Sequence, residues 1–237
     1  GGYVRSPAIK DGVVYVGEYD GGLYAIDSQS GQLKWNFKRR AGSRDIAIKD
    51  GVVYFGSSDS FLYAIDSHSG QLKWKFRTEG MIDSSPAIKD GVVYVGSWDH
   101  LYAIDSQSGQ LKWKFTEYDN GFYSPAIKDG VVYVGIDAVP DGLQLQKGEH
   151  GYLYAIDSQS GQSKWKFKPG LVLSFPTIKN GVVYVGTLPG SLQAIDSQSG
   201  QLKWKFEIQD PVVRSSPAIK DGVVYVGSDD GYLYAIE

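Results

Sequence analysis

The chain has 237 residues, 42% of them hydrophobic and 22% charged, with a net charge of −3. That is enough apolar matter for a real core, with no basic surplus to suggest nucleic acid or an anionic membrane as a partner. It contains no cysteine, which excludes disulfides, cysteine-ligated zinc, iron–sulfur clusters and thiol nucleophiles, and no apolar run approaches the roughly 18 residues of a membrane-spanning helix.

Repetition dominates the sequence. The segment Ser-Pro-Ala-Ile-Lys-Asp-Gly-Val-Val-Tyr-Val-Gly recurs six times with small changes, its Ile falling at Ile9, Ile48, Ile88, Ile127, Ile178 and Ile219. In the first five units Leu-Tyr-Ala-Ile-Asp-Ser-Gln-Ser-Gly-Gln-Leu-Lys-Trp-Lys-Phe follows, placing Trp35, Trp74, Trp113, Trp165 and Trp204. The start, Gly1-Gly2, reads as a processed or engineered N-terminus.

In chain order, each unit predicts four short strands. In the first they lie at 6–9, 13–16, 23–26 and 33–37. Asp11-Gly12 between the first two is the signal of a type I′ hairpin, and Asn180-Gly181 keeps it in the fifth unit. The stretch 28–31 is a longer turn ending in Gly31. The fourth strand alternates apolar and polar residues, and its lysines, such as Lys73 and Lys75, suit an outermost edge. Four antiparallel strands in units of about 40 residues, six times over, predict an all-β, six-bladed β-propeller. It is expected as one domain with blades near 3–37, 42–76, 82–115, 122–167, 173–206 and 213–237. Each Trp is expected to pack between neighbouring blades. The sixth unit ends at Glu237 with no fourth strand, so the sequence predicts a bare edge there and a monomer or a weak edge-mediated dimer.

The pattern Tyr-Val-Gly-x-x-x-Gly-x-Leu-Tyr-Ala-Ile-Asp-x-x-x-Gly-x-x-x-Trp, read at 15–35, resembles the quinoprotein-type (PQQ-like) propeller repeat, and the resemblance covers essentially the whole chain. That family includes quinone-dependent dehydrogenases and non-enzymatic scaffolds. The dehydrogenases are eight-bladed, longer, and carry vicinal cysteines near the quinone together with a calcium ion. Six units without cysteine imply no quinone cofactor here. The near identity of the units implies recent amplification of one blade or an engineered repeat scaffold, and the second is favoured.

The turns joining strands one to two and three to four share one end of every blade. They are nearly invariant, with His68 in a Gln position as an incidental change. The loops joining strands two to three, and those between blades, share the other end and differ in every unit. Variable loops on a rigid scaffold are where binding and catalysis are placed. The largest departure is 136–151 in the fourth unit, 16 residues where 228–231 has four, and it is expected as a lid over an axial mouth.

The positions before the Pro-Ala-Ile core are expected to ring that mouth. They supply cations at Arg5, Arg44 and Arg214, carboxylates at Asp45 and Asp83, and aromatics at Tyr123 and Phe175. Arginine forks suit a carboxylate or phosphate. Trp98, Tyr19 and Tyr118 add stackable surface. His100 beside Asp99 and His150 beside Glu149 are candidate acid–base groups with Asp45. A metal bound by histidine and carboxylate is an open alternative, although no ligand spacing marks one. The expected function is binding of a small organic or anionic ligand in an axial pocket, with acid–base or lyase-type chemistry if the chain is an enzyme. The alternative is a non-catalytic scaffold holding a peptide or protein on the same end. No cofactor, nucleic acid or membrane is expected.

Overall fold

The structure is a computed structural model. It describes residues 6–18, 22–38, 43–117, 121–136, 151–172, 174–188, 190–208 and 215–237, with only the backbone of residues 43 and 44. All regular structure among them is β. It forms six antiparallel sheets in chain order: four of four strands, a fifth of five and a sixth of three. Serial four-stranded meanders of this kind are propeller blades, so the fold is a six-bladed, all-β propeller whose sixth blade holds Ala218–Lys220, Val223–Gly227 and Leu233–Ile236. Two compact units contain three sheets each, Gly1–Thr116 and Glu117–Glu237.

The predicted strands sit close to where expected, the first shorter and starting two residues later, the other three longer at their ends. In the first blade they are Ala8–Lys10, Val13–Glu18, Gly22–Asp27 and Leu33–Lys38. The one- to two-strand hairpins use positive φ at both turn residues: Asp90 at 49° and Gly91 at 74°, and Asn180 at 50° with Gly181 again at 74°. That is the backbone of a type I′ turn, which asks for Asp or Asn followed by Gly.

The second strands are apolar without alternation because both of their faces are covered. In the first unit Val53 and Phe55 pack with Tyr15, Leu23 and Ala25 of the first blade. Val52 and Tyr54 point the other way, to Val93, Val95 and Tyr102 of the third. Residues one apart on a strand serve opposite neighbours, so a Val-Val-Tyr-Val run fills two interfaces at once. The second unit repeats this with Tyr133, Leu153 and Ala155 against Val183, Val185 and Ile195. The fourth strands lie outermost, with Leu33, Leu72, Leu111 and Leu202 about half exposed beside their lysines.

A latch joins successive blades. Trp74 Nε1 and Tyr54 Oη both donate to the Ser106 carbonyl of the next blade, at 3.0 and 3.2 Å. Trp35 with Tyr15 does the same to Ser67, and Trp165 with Tyr133 to Ser197. The accepting carbonyl lies in a turn closed by aspartate: Asp105 Oδ1 accepts from Gln107 N, Ser108 N and Ser108 Oγ. The near-invariance of this end of the blades is therefore a packing requirement.

These turns make stability depend on acid. Hydrogen bonds from Ser30, Ser69, Ser108, Ser160 and Ser199 hold the carboxyls of Asp27, Asp66, Asp105, Asp157 and Asp196 below their ordinary 3.8. A carboxylate whose folded pKa is lowered contributes stability above its unfolded pKa and loses it as pH falls through the folded value. The urea midpoint is expected to stay level from neutrality to about pH 5 and to fall below about pH 4. A midpoint that stays level to pH 3 would contradict this role.

The between-blade stretches were expected as loops, and parts of them join the sheets. Leu171–Val172 pairs with Leu188 and Thr187 as a fifth strand, and Phe122 bridges to Ile136. Each continues its blade beyond the Pro that precedes the first strand.

Candidate functional site

In the third, fifth and sixth blades, a serine two positions before the Pro clamps the end of the second strand. Ser84 Oγ donates to the Gly96 carbonyl and accepts from Gly96 N, both at 2.8 Å. Ser215 does the same with Gly227, and Ser174 Oγ accepts from Gly186 N. Tyr123 stands in this position and donates its backbone N–H to Gly135 O at 2.9 Å instead. One residue on, Asp45 Oδ2 accepts from Ser85 Oγ of the next blade at 2.8 Å. Phe175, 41% exposed, donates its N–H to Ser216 Oγ at 3.2 Å. Asp45, taken from the sequence as a catalytic group, thus links two blades. Arg5, Arg214 and His150 lie outside the described residues, as do Tyr19, Tyr118 and residues 137–150 of the expected lid, and of Arg44 only the backbone is described.

The densest polar cluster among the candidates forms around His100, in the third blade. In the second and fourth blades the residue opening the third strand sits in a slot between a tyrosine two residues on and a lysine of the fourth strand, and His100, just before the strand Leu101–Asp105, holds the same place in the third. Phe61 fills it in the second blade, 5.9 Å from Tyr63 and with Lys75 Nζ 4.6 Å above its ring. Tyr152 fills it in the fourth, beside Tyr154 and under Lys166. His100 takes the slot in the third, its ring 5.5 Å from Tyr102. Its side chain is nine-tenths buried, at 10% exposure.

A tight turn sets it there. Ser97 N donates to His100 O at 2.8 Å and His100 N to Ser97 Oγ at 3.1 Å. Asp99 Oδ1 accepts from Ser97 Oγ at 2.6 Å, which leaves Oδ2 3.9 Å from His100 Nε2. The connection from the second blade brings Glu79 over the ring, with Oε2 3.0 Å from Nε2. Lys114 Nζ donates to Glu79 Oε1 at 2.6 Å and lies 3.3 Å from His100 Nε2. On the far side of the ring, Nδ1 meets Thr116 Oγ1 at 2.9 Å.

Hydrogen bonds from Lys114 and His100 hold the Glu79 carboxyl below its ordinary range. Burial, aided by the negative charge of Asp99 and Glu79, pushes the Tyr102 hydroxyl up to about 12. It stays protonated and accepts from Glu79 N at 3.1 Å. Trp98 and Asp83, both placed by the sequence on the variable-loop end, do meet: the indole Nε1 donates to Asp83 Oδ2 at 3.1 Å.

Glu79, Lys114 and Thr116 escaped the sequence reading. Lys114, and Thr116 just beyond the strand, could have been found from register, since Tyr102 pairs with Lys114 and Leu101 with Phe115. Glu79 lies in an irregular connection, where no periodicity fixes its position.

A cavity of about 370 Å³ in the first unit is lined by Lys49, Asp50, Tyr54, Asp90, Ser106 and Gln107, among others. It opens at the end that carries the constant turns, opposite the loops where a pocket was expected. The lining combines the one- to two-strand turns of the second and third blades, the three- to four-strand turn of the third, and strand residues such as Val52, Tyr54 and Ile88.

The family model described as outer membrane protein assembly factor BamB matches residues 1–166 and, in a second match, 124–237. No curated protein matches the chain. Among solved structures, the computationally designed Ika8 protein aligns with a TM-score of 0.85 at 18% identity, over 98% of this chain and 70% of its own. BamB from Moraxella catarrhalis gives 0.80 at 19% identity, over 98% and 73%. Quinohemoprotein alcohol dehydrogenase from Comamonas testosteroni gives 0.76 at 17%, over 96% of this chain and 53% of that one. At such identities the structures speak for the fold alone, but the family match spans the sequence from end to end, and the chain belongs to the PQQ-like propeller family of the BamB type.

Proposed function

We propose that the chain is a non-catalytic scaffold that holds an extended protein segment against the variable-loop ends of its blades. Trp98 carries this reading. It is 50% exposed, yet held twice: its backbone N–H donates to Met81 O and its indole to Asp83, both at 3.1 Å. A large aromatic surface already fixed in place loses little entropy on binding, and tryptophan is enriched among interface hot spots. The matching loop positions carry Ser58 and Asp229, so the ring serves no shared packing role. The family's description as an assembly factor supports a protein partner. So does the engagement of Asp45 with Ser85, and of His100 with Glu79 and Thr116, inside the protein.

Selection of displayed random peptides on the wild-type chain tests this. Peptides recovered are expected to bind W98A about 30-fold more weakly, the equivalent of a hot spot of about 2 kcal/mol. Peptides that bind both chains equally would sink the reading.

The second reading is a small organic or anionic ligand in an axial pocket, worked on by Asp45, His100 and His150. The length of the 136–151 insertion favours it. Capture of a small molecule, undiminished in W98A, would place it first. Neither reading includes a quinone, because the chain has no cysteine for the vicinal pair of the dehydrogenases.

A further inference from the structure

We propose that Glu79, Asp99 and His100 form a binding site for a divalent transition-metal ion of the zinc type, with the Lys114 ammonium competing for the same seat. The three residues each offer one ligand atom, and these atoms lie within 4.8 Å of one another. His100 Nε2 is 3.0 Å from Glu79 Oε2 and 3.9 Å from Asp99 Oδ2. Ligands bound at about 2.0–2.2 Å around a tetrahedral ion lie about 3.3 Å apart. The two spacings from Nε2 bracket that value, and all three ligand atoms already lie within 4.8 Å of one another.

The hydrogen bonding points the same way. The contact with Glu79 Oε2 asks for a proton on Nε2, whereas Lys114 Nζ at 3.3 Å is a donor and asks for a lone pair on the same atom. One nitrogen cannot supply both. A metal ion resolves the conflict by accepting the Nε2 lone pair and neutralising both carboxylates. The proton then resides on Nδ1 and is donated to Thr116 Oγ1, 2.9 Å away. A ligating histidine fixed through its other nitrogen is the usual outer-shell arrangement. Asp99 is divided in the same sense, with Oδ1 held by Ser97 Oγ and Oδ2 turned towards the ring.

Buried and exposed partners have complementary roles. The His100 side chain is 10% exposed and held in its slot, whereas the Glu79 side chain is 62% exposed and leaves a path for the ion and for a water as fourth ligand. One imidazole with two carboxylates suits zinc, cobalt or nickel, whereas magnesium and calcium prefer oxygen alone. Lys114 Nζ, 2.6 Å from Glu79 Oε1, shows that the seat already attracts a cation.

The slot supplies its own control. Because Phe61 and Tyr152 fill the matching positions, H100F removes the ligand and keeps the packing. The experiment is calorimetric titration of Zn2+ into the full chain carrying H68Q and H150Q, which makes His100 the sole histidine. One saturable site per chain is expected. H100F should abolish it with the melting curve by circular dichroism unchanged, and T116V should weaken it about tenfold by releasing the ring. K114Q should tighten it several-fold, and Co2+ should give the visible absorption of a tetrahedral ion. Absence of saturable binding at millimolar Zn2+, or equal affinity in H100F, overturns the proposal. Weaker binding by K114Q overturns the competitor role of Lys114.

Discussion

Trp74→Ala is expected to destabilise the chain by about 3 kcal/mol, the lower end of the range for truncating a large aromatic. The ring is partly exposed, which argues against a larger value. It packs against the core shared by the second and third blades, lies 5.8 Å from the Tyr54 ring and donates to Ser106 O. Trp74→Phe should cost less, because the Ser106 carbonyl keeps its second donor, Tyr54 Oη. A lost hydrogen bond to an acceptor that remains satisfied is worth about 1 kcal/mol. Urea unfolding of both variants checks the order. If the two variants are equally unstable, the indole N–H outweighs the ring, and the packing account fails.

Gly109→Ala is the second large effect, also about 3 kcal/mol, from two sources. Gly109 has φ of +70°, where a Cβ costs about 1–2 kcal/mol. That Cβ would also stand 2.7 Å from Trp74 Cδ2 and 2.9 Å from Cγ, and overpacking of this kind typically adds about 1–3 kcal/mol. The second source disappears when Trp74 is alanine. In a double-mutant cycle, G109A added to W74A should therefore cost only the backbone part, and the two single effects should exceed the double by at least about 1 kcal/mol. Additive effects would show that the glycine serves its turn and not the tryptophan. The same close approach recurs between Gly70 and Trp35 and between Gly200 and Trp165. It explains why Ser-x-Ser-Gly is repeated so faithfully: the sequence marks that Gly as the end of a turn, and the structure adds its positive φ and the ring lying against it.

The candidate site was legible only in part. His100, Trp98 and Asp83 were singled out from loop position and residue type, and the structure places Trp98 on Asp83. It gives Asp45 a different task, bonded to Ser85 of the neighbouring blade. Ser84, Ser174 and Ser215 carry no mark in the sequence that sets them apart, yet they clamp strand ends. Repetition alone does not reveal whether a serine is filler or a clamp, because both repeat.

By itself the sequence determined whatever depends on a few neighbouring residues. Asp-Gly and Asn-Gly specify turns with two positive φ angles through local sterics. Apolar runs of four specify strands covered on both faces, and the 40-residue period specifies the number of blades. Only the tertiary structure decided what depends on the path of an irregular connection. Glu79 reaches His100 because the segment after the second blade crosses the turn at Ser97, and Leu171–Val172 adds a strand because its connection runs back along Thr187–Leu188. The cavity at the turn end brings together turns of two blades that lie 40 residues apart in the chain. No periodicity constrains such segments; their positions follow from the packing of whole blades, which fixes where each connection starts and ends.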